Sequence, residues 1–269
     1  MHRLFFLLAA LLCLNGFSQQ RYQFTQPKMG SPFRLVFYAA DSTQAARLAA
    51  DAFSLVDSLN AVFSDYQANS ELSRLNCTAG SGTFVPVSPL LYEVLSLSRT
   101  AAAKSDHAYD ITIGPLSRLW RAARKAKRFP AEAELQAAKA KVGIRNLVID
   151  TATKQVSLRL AGMQLDLGGI AKGYVAQKVV EHLRDNGVAS ALADAGGDMA
   201  CSDPPPGKKG WTVGINVPGS ETELLAETIE ISNSAVATSG DVYQYIEHNG
   251  KRYSHIIDPR TGYGVLFQR

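Results

Sequence analysis

The chain has 269 residues, of which 46% are hydrophobic and 19% are charged, a composition ordinary for a globular protein with a sizeable core. Its net charge of +4 allows an anionic ligand but does not indicate a nucleic-acid-binding protein. The length suits one large domain or two closely packed lobes.

Residues 1–18 have the features of a secretory signal peptide. A basic start precedes an apolar run from Leu4 to Leu14, and small and polar residues follow it. The run is too short for an ordinary membrane span, and a leucine before Cys13 fits a lipoprotein cleavage site poorly. We therefore expect a signal peptide over residues 1–18, an exported protein, and a mature domain over residues 19–269.

The first part of the mature chain alternates strand-like and helical segments. Residues 19–40 predict a strand entering the domain. Apolar residues at helical spacing predict a helix over residues 42–62, with Ser42 as N-cap, and another over residues 88–104, opened by Ser88-Pro89. Between them, Ser70 is the expected N-cap of a short helical piece.

The middle of the chain predicts a strand over "YDITI" (109–113), a break at Gly114-Pro115, and a basic helix. The charged run 121–128 fits a solvated helix end better than a nucleic-acid site, because no aromatic residues interleave it. A further helix over residues 130–143 and a β-hairpin over residues 146–160 follow.

The last part of the chain begins with an apolar run that reaches Asp166, stops at Gly168 and Gly169, and continues as a helix to about Gly187. The next strand ends in "DAGGD". Later strands are expected at "GWTVGINV", "AETIEISNSAVATSG" and "KRYSHIID". Because no linker separates two independent domains, the expected fold class is α+β. Cys77 and Cys201 remain after export; they either pair or serve as small hydrophobic residues.

Four glycine-centred breaks carry the candidate chemistry: "DLGGIAKG", "DAGGD", "TSGD" and "DPRTG". Each alone is more often an ordinary turn. Together they let the backbone approach a ligand and turn its N–H groups toward phosphate oxygens. Asp166 would repel phosphate unless a cation or a hydroxyl-bearing ligand intervenes. The pattern therefore suggests a nucleotide ribose, or a metal that bridges carboxylates and phosphates.

Other nucleotide and hydrolase signatures are absent from the sequence. No G-x-G-x-x-G follows the first strand, and no P-loop, H-E-x-x-H or G-x-S-x-G motif occurs. A dinucleotide-binding fold of the doubly wound type and a serine hydrolase are thus excluded as first hypotheses.

Seven motifs, in order, resemble those of the ApbE family, the FAD:protein FMN transferases. They cover nearly all of the mature chain. The motifs are "MGS" (29–31), "SDYQANSELSRLN" (64–76), "YDITIGPLSRLW" (109–120), "LDLGGIAKGY" (165–174), "DAGGD" (194–198), "AVATSGD" (235–241) and "SHIIDPRTG" (254–262).

The resemblance implies an α+β fold of mixed or antiparallel sheets with helices, in two interwoven lobes with FAD in the cleft between them. It implies Mg2+-dependent transfer of FMN from FAD to a threonine or serine of an acceptor protein, with release of AMP. The metal would bind the backbone carbonyl of Gly169. FAD would be lined by Met29, Tyr66, Ala108, Tyr109, Asp110, Asp166, Lys172 and Ile257.

The residue chemistry agrees with this implication, since splitting a pyrophosphate needs cationic neutralisation and an activated hydroxyl. His255 is the first candidate for the general base and Asp241 the second. Each residue also has an ordinary interpretation. In particular, Asp110 alone fits a strand-end hydrogen-bond acceptor and Lys172 alone a solvated helix residue.

Two further expectations concern the C-terminus and the location. The family completes its metal site in a segment after the "DPRTG"-like motif, whereas this sequence ends at Arg269. We therefore expect a fragment that binds Mg2+ weakly. The alternatives are a non-catalytic exported FAD-binding or carrier protein and an FAD pyrophosphatase giving FMN and AMP. The expected location is the periplasm or the outer face of the inner membrane, with a redox-pump subunit as a possible acceptor.

Overall fold

The computed structural model describes residues 19–217, 224–239 and 244–266; the expected signal peptide lies outside them. In this part of the chain, no helix is long and apolar enough to cross a membrane. The helices are α1 (Ser42–Phe63), α2 (Glu71–Asn76), α3 (Pro89–Lys104), α4 (Gly114–Lys125), α5 (Glu132–Lys139) and α6 (Ala171–Asp185). The strands are β1 (Gln20–Lys28), β2 (Ser31–Ala39), β3 (Val85–Pro86), β4 (Leu147–Asp150), β5 (Gln155–Leu158), β6 (Ala191–Asp194), β7 (Met199–Cys201), β8 (Trp211–Asn216), β9 (Leu224–Ile231), β10 (Ala235–Val236), β11 (Tyr245–His248) and β12 (Lys251–Ser254).

The strands form a five-stranded sheet in the order β1-β2-β6-β7-β10, a three-stranded sheet in the order β3-β5-β4, and the two ribbons β8-β9 and β11-β12. Each pairing among these strands is antiparallel. The predicted α+β class is confirmed.

The described part of the chain has three hydrophobic clusters: a small one around Trp211 and two cores that position the candidate site. In the larger core, α1 and α6 pack against each other and against the five-stranded sheet, where alternate β2 residues such as Phe33 and Phe37 are fully buried. The smaller core gathers Leu116, Trp120 and Leu135 from α4 and α5, with Tyr253 beside them. The chain enters the smaller core twice, and therefore the two cores are interwoven along the sequence.

Several local predictions are confirmed because the signals are local. Ser70 caps α2 and Ser88 caps α3, each through its hydroxyl. The hairpin of β4 and β5 forms as expected. The first long helix, however, is capped by Asp41, whose side chain accepts from the backbone N–H of Gln44.

Three predictions of extent are wrong. Residues 19–40 form two strands, because the chain reverses at Met29 and Gly30 with φ of 52° and 76°. Residues 109–113 form a turn with one isolated bridge, because local hydrogen bonds to the Asp110 side chain replace a strand ladder. The predicted helix over residues 130–143 is shorter, Glu132–Lys139.

Candidate active site

The loop that enters α6 is the centre of the candidate site. The backbone N–H of Asp166 donates to the carbonyl of Ile111 at 2.8 Å. The Asp166 carboxylate accepts from the N–H of Gly168 at 2.8 Å. Gly169 lies against the Tyr109 ring, where a Cβ would be 3.1 Å from Cε2. Asp166, Gly169 and Tyr109, which the sequence predicted to act together, are therefore neighbours.

Arg121 of α4 joins this loop to the end of α1. Its guanidinium donates to Asp65 at 2.6 Å and to Asp166 at 2.5 Å. The three side chains are 25%, 11% and 10% exposed. The same guanidinium lies 4.5 Å from the ring centroid of Tyr66, which is 79% exposed. The prediction that residues 121–128 are a solvated run is therefore wrong for Arg121.

The charges in this cluster act strongly on one another. Burial raises the pKa of Asp65, and the nearby carboxylate of Asp166 raises it further, while Arg121 opposes both. Burial would lower the pKa of Arg121, but Asp166 and Asp65 together raise it. Arg121 thus stays cationic between two carboxylates that would otherwise repel each other.

Lys172, in the first turn of α6, connects the first glycine break to the second. Its ammonium donates to the Ser31 hydroxyl at 3.1 Å, and that hydroxyl donates to the carbonyl of Ala195 at 3.3 Å. Gly196 has φ of 79°, and a Cβ there would lie 2.7 Å from the Ser31 hydroxyl oxygen. The turn at Met29, two residues before Ser31, is thereby brought to the same place.

Asp198 completes the second glycine break. Burial raises the pKa of the Asp198 carboxyl, whereas the charge of Lys172 lowers it. The other carboxylate of this break, Asp194, accepts from the N–H groups of Gly196 and Gly197 at 3.0 Å and 2.8 Å. These two N–H groups therefore bond within their own loop and stabilise its conformation.

Asp110 has a clear structural role. It is 7% exposed, and its carboxylate accepts from the N–H and the hydroxyl of Thr112 and from the N–H of Ile144. It therefore fixes the loop that carries Tyr109 and the exposed Ala108. Contact of Asp110 and Ala108 with FAD stays a prediction.

Ile257 packs against the smaller core, and His255 lies two residues before it, directly after β12. The exposed His255 donates its N–H to the carbonyl of Gln244 at 2.8 Å, and its Nδ1 lies 3.2 Å from the same oxygen. Because a carbonyl oxygen only accepts, Nδ1 carries the proton in this arrangement. Asp241, the other candidate base, lies outside the described residues.

The "DPRTG" turn lies within electrostatic reach of the loop before Tyr109. The salt bridge to Asp258 is the main cause that raises the pKa of Arg260, and the charge of Asp106 adds to it. After the turn, the chain pairs back onto the segment that precedes it, since the N–H of Val265 donates to the carbonyl of Ile256 at 2.8 Å.

A metal would find few side-chain ligands here. The described residues contain no group of three histidine, cysteine or acidic side chains that could hold an ion, and Asp65 and Asp166 are both paired with Arg121. The backbone carbonyl of Gly169 fits Mg2+ as an oxygen ligand, with phosphate oxygens and water for other positions.

Sequence reasoning missed three residues of the site. Arg121 and Asp65 are 56 residues apart and Lys172 and Ser31 are 141 apart, so no local pattern indicates these pairs. Asp65 and Ser31 do fall within the quoted motifs "SDYQANSELSRLN" and "MGS", and that was the available signal. Cys77 and Cys201 are both free thiols, the first exposed and the second buried.

Comparison with known proteins finds matches along most of the chain. The ApbE family model matches residues 29–267. An FAD:protein FMN transferase of Klebsiella pneumoniae (strain 342) is 33% identical over 242 residues, covering 90% of this chain and 73% of the relative. One from Vibrio cholerae (strain O395) is 31% identical over 260 residues, covering 95% and 77%.

Solved structures give the same result. The apo form of the flavinyl transferase ApbE of Pseudomonas stutzeri has a TM-score of 0.79 and 28% identity, covering 92% of this chain and 77% of its own. The ApbE protein of Thermotoga maritima has a TM-score of 0.81 and 28% identity, covering 91% and 79%. From the family match and these relatives together, the chain belongs to the ApbE family.

Proposed function

We propose that the chain is an FAD:protein FMN transferase, which moves FMN from FAD to a threonine or serine hydroxyl of an acceptor protein and releases AMP. The observation that carries the proposal is the entry to α6, where Asp166, Gly169 and Lys172 fall within seven residues. The names of the relatives, FAD:protein FMN transferase, support the same reaction.

The binding roles follow from the chemistry of each side chain. Lys172 lies in the first turn of α6, where the helix dipole also favours an anion, so the FAD pyrophosphate is its expected ligand. Tyr66 presents most of its ring to solvent and offers a face for a flat ring system. Asp166 accepts hydrogen bonds and suits a ribose hydroxyl. Met29 and Ile257 would supply apolar contacts.

The proposed transfer is a displacement at phosphorus. The acceptor hydroxyl oxygen bonds to the phosphorus on the FMN side, the bond from that phosphorus to the AMP oxygen breaks, and AMP leaves. A base takes the hydroxyl proton. His255 is the first candidate for this base, since a neutral imidazole ring can accept a proton. Asp241 is the second candidate.

Mg2+ is proposed as the required metal, with the Gly169 carbonyl as one ligand. When bound, it neutralises charge that develops on the phosphate oxygens. Chelation by EDTA should therefore abolish transfer and leave the fold intact, because the described ligand set includes no side chain that the metal holds in place.

The proposed location is outside the cytoplasm, in the periplasm or at the outer face of the inner membrane. This proposal is supported by the basic start and the apolar run within residues 1–18. The acceptor would then be an exported or membrane-associated protein that presents a threonine or serine.

The test is covalent flavinylation of exported proteins. A host that lacks its own flavin transferase would express the full chain, and denaturing gels of its periplasmic and membrane fractions would be scanned for flavin fluorescence. We expect a fluorescent band with the wild type and none with Lys172→Met. The matched control is Lys178→Met on the same helix, a residue held by Glu93 and Glu181, which should keep the band.

Two outcomes would replace the proposal. If the purified chain with FAD and Mg2+ accumulates AMP in the absence of any acceptor, the activity is that of an FAD pyrophosphatase. If FAD binds but neither AMP nor a fluorescent band appears, the chain is a binding or carrier protein.

A further inference from the structure

Arg121 is placed to connect the two cores at the candidate site. Its helix, α4, contributes Leu116 and Trp120 to the smaller core. Its guanidinium reaches Asp65 and Asp166, which lie in segments that flank residues of the larger core. One side chain therefore fixes the relative position of three segments, and each of its two terminal nitrogens holds one carboxylate.

The same guanidinium supports the Tyr66 ring. Tyr66 follows α1 in a loop, where its backbone N–H donates to the Ser64 hydroxyl at 3.2 Å. An aromatic side chain that is 79% exposed has little packing to hold its orientation. The guanidinium, 4.5 Å from the ring centroid, supplies a cation–π contact and leaves most of the ring accessible to a ligand.

The charge of Arg121 also matters to an anionic ligand. The carboxylates of Asp65 and Asp166 are both mostly buried and lie close together, and Arg121 is their described cationic partner. Without it, two neighbouring negative charges would face the pyrophosphate of FAD, and each would repel it.

We propose that Arg121 is a positioning residue for FAD, which sets the carboxylate of Asp166 and the ring of Tyr66 in the arrangement that receives the ligand. It acts through these two side chains and not by contact with the phosphates. This inference rests on the proposed function for the identity of the ligand.

The test measures FAD binding by flavin fluorescence, and AMP release at varied FAD concentration in the presence of Mg2+ and an exported-protein fraction that contains the acceptor. We expect Arg121→Gln to weaken FAD binding roughly tenfold or more and to raise KM for FAD, with a smaller change in kcat. Arg121→Lys should restore part of the affinity, since it keeps the charge but loses the two-nitrogen fork. Asp65→Asn in the Arg121→Gln background should also restore part, because it removes one of the repelling charges.

The matched control is Arg118→Gln, an exposed arginine on the same helix, which should bind FAD as the wild type does. Equal FAD affinity in the wild type and in folded Arg121→Gln would overturn the inference. If Arg121→Gln does not fold, Arg121→Lys is used in its place. Wild-type FAD affinity in Arg121→Lys would contradict a role for the two terminal guanidinium nitrogens. Failure of the proposed function looks different, because the wild type itself would then bind FAD without transferring FMN, or bind none.

Discussion

Tyr109 lies beside Gly169 with its hydroxyl inside the protein, and this position makes a prediction about pH. Burial raises the pKa of Tyr109 to about 12, although the nearby Ser98 hydroxyl opposes this shift. By geometry, the buried hydroxyls of Tyr109 and Ser98 both lack a hydrogen bond of normal length among the described residues. A tyrosine in the unfolded chain ionises near pH 10. The contribution of Tyr109 to the free energy of unfolding is therefore fully present below pH 10 and is lost as the pH rises toward 12.

We therefore expect Tyr109→Phe to be as stable as the wild type at pH 7, or more stable by about 1 kcal/mol, because no bond is lost. Between pH 9 and pH 11, the free energy of unfolding should fall by about 1 kcal/mol more in the wild type than in the variant. Urea unfolding across this range measures both effects. Tyr92→Phe serves as a control on a partly buried tyrosine, and an equal slope with pH in wild type and Tyr109→Phe would contradict the prediction.

At the residue scale, the sequence predicted side chains that lie close together along the chain. Asp166, Gly169 and Lys172 are within seven residues, and their motif indicated a shared site. Arg121 was assigned to a solvated run because its neighbours in sequence are basic. Its partners are 56 and 45 residues away, and only the fold brings them to it.

Among the elements, α2 is tied to the Asp166 loop by Asn76. The Asn76 amide accepts from the N–H of Leu165 at 2.7 Å and donates to the Leu165 carbonyl at 3.1 Å, both in the protein interior. This side chain pairs with the backbone as a strand neighbour would. The residue next to Leu165 is Asp166, so the pair also sets the position of the candidate site.

Asn76→Ala should lower the free energy of unfolding by about 2–3 kcal/mol, because it leaves a buried N–H and a buried carbonyl without partners. Urea unfolding followed by circular dichroism measures this. Asn186→Ala, at an exposed amide that donates to the His182 carbonyl, should cost well under half as much. Similar losses in the two variants would mean that water satisfies Leu165 once Asn76 is shortened.

Helices and strands were predictable where a capping side chain or a hydrophobic periodicity marks them. The hydroxyls of Ser70 and Ser88 mark helix starts within three residues, and both predictions are confirmed. The strand predicted over residues 109–113 does not form, because the Asp110 carboxylate accepts hydrogen bonds from the N–H and the hydroxyl of Thr112. The reversal at Met29 needs a positive φ in a residue other than glycine, for which the sequence carries no signal.

For the whole molecule, the α+β class followed from the alternation of patterns, but the strand order did not. β2 pairs with β6 through partners such as Arg34 and Asp194, and such long-range pairings leave no periodic trace. The smaller core is assembled in the same way, since the indole N–H of Trp120 donates to the carbonyl of Gly262 at 2.9 Å, 142 residues later.

Several buried links join the two cores, and they predict cooperative unfolding. The N–H of Gly143 donates to the Thr112 hydroxyl at 2.7 Å, and the N–H of Gly114 donates to the Gln164 carbonyl at 3.2 Å. The ion pairs of Arg121 add to these links. Because the contacts are distributed along the junction, neither core should open alone at equilibrium.

The variant Trp211→Phe tests this, since the sequence has two tryptophans and Trp120 then reports on the smaller core. We expect its fluorescence transition in urea to coincide with the circular dichroism transition of the whole chain. Adding Arg121→Gln should shift both transitions together to lower urea. A fluorescence midpoint clearly below the circular dichroism midpoint in the single variant would show instead that the smaller core unfolds as a separate unit, and that the candidate site lies on a hinge between two bodies.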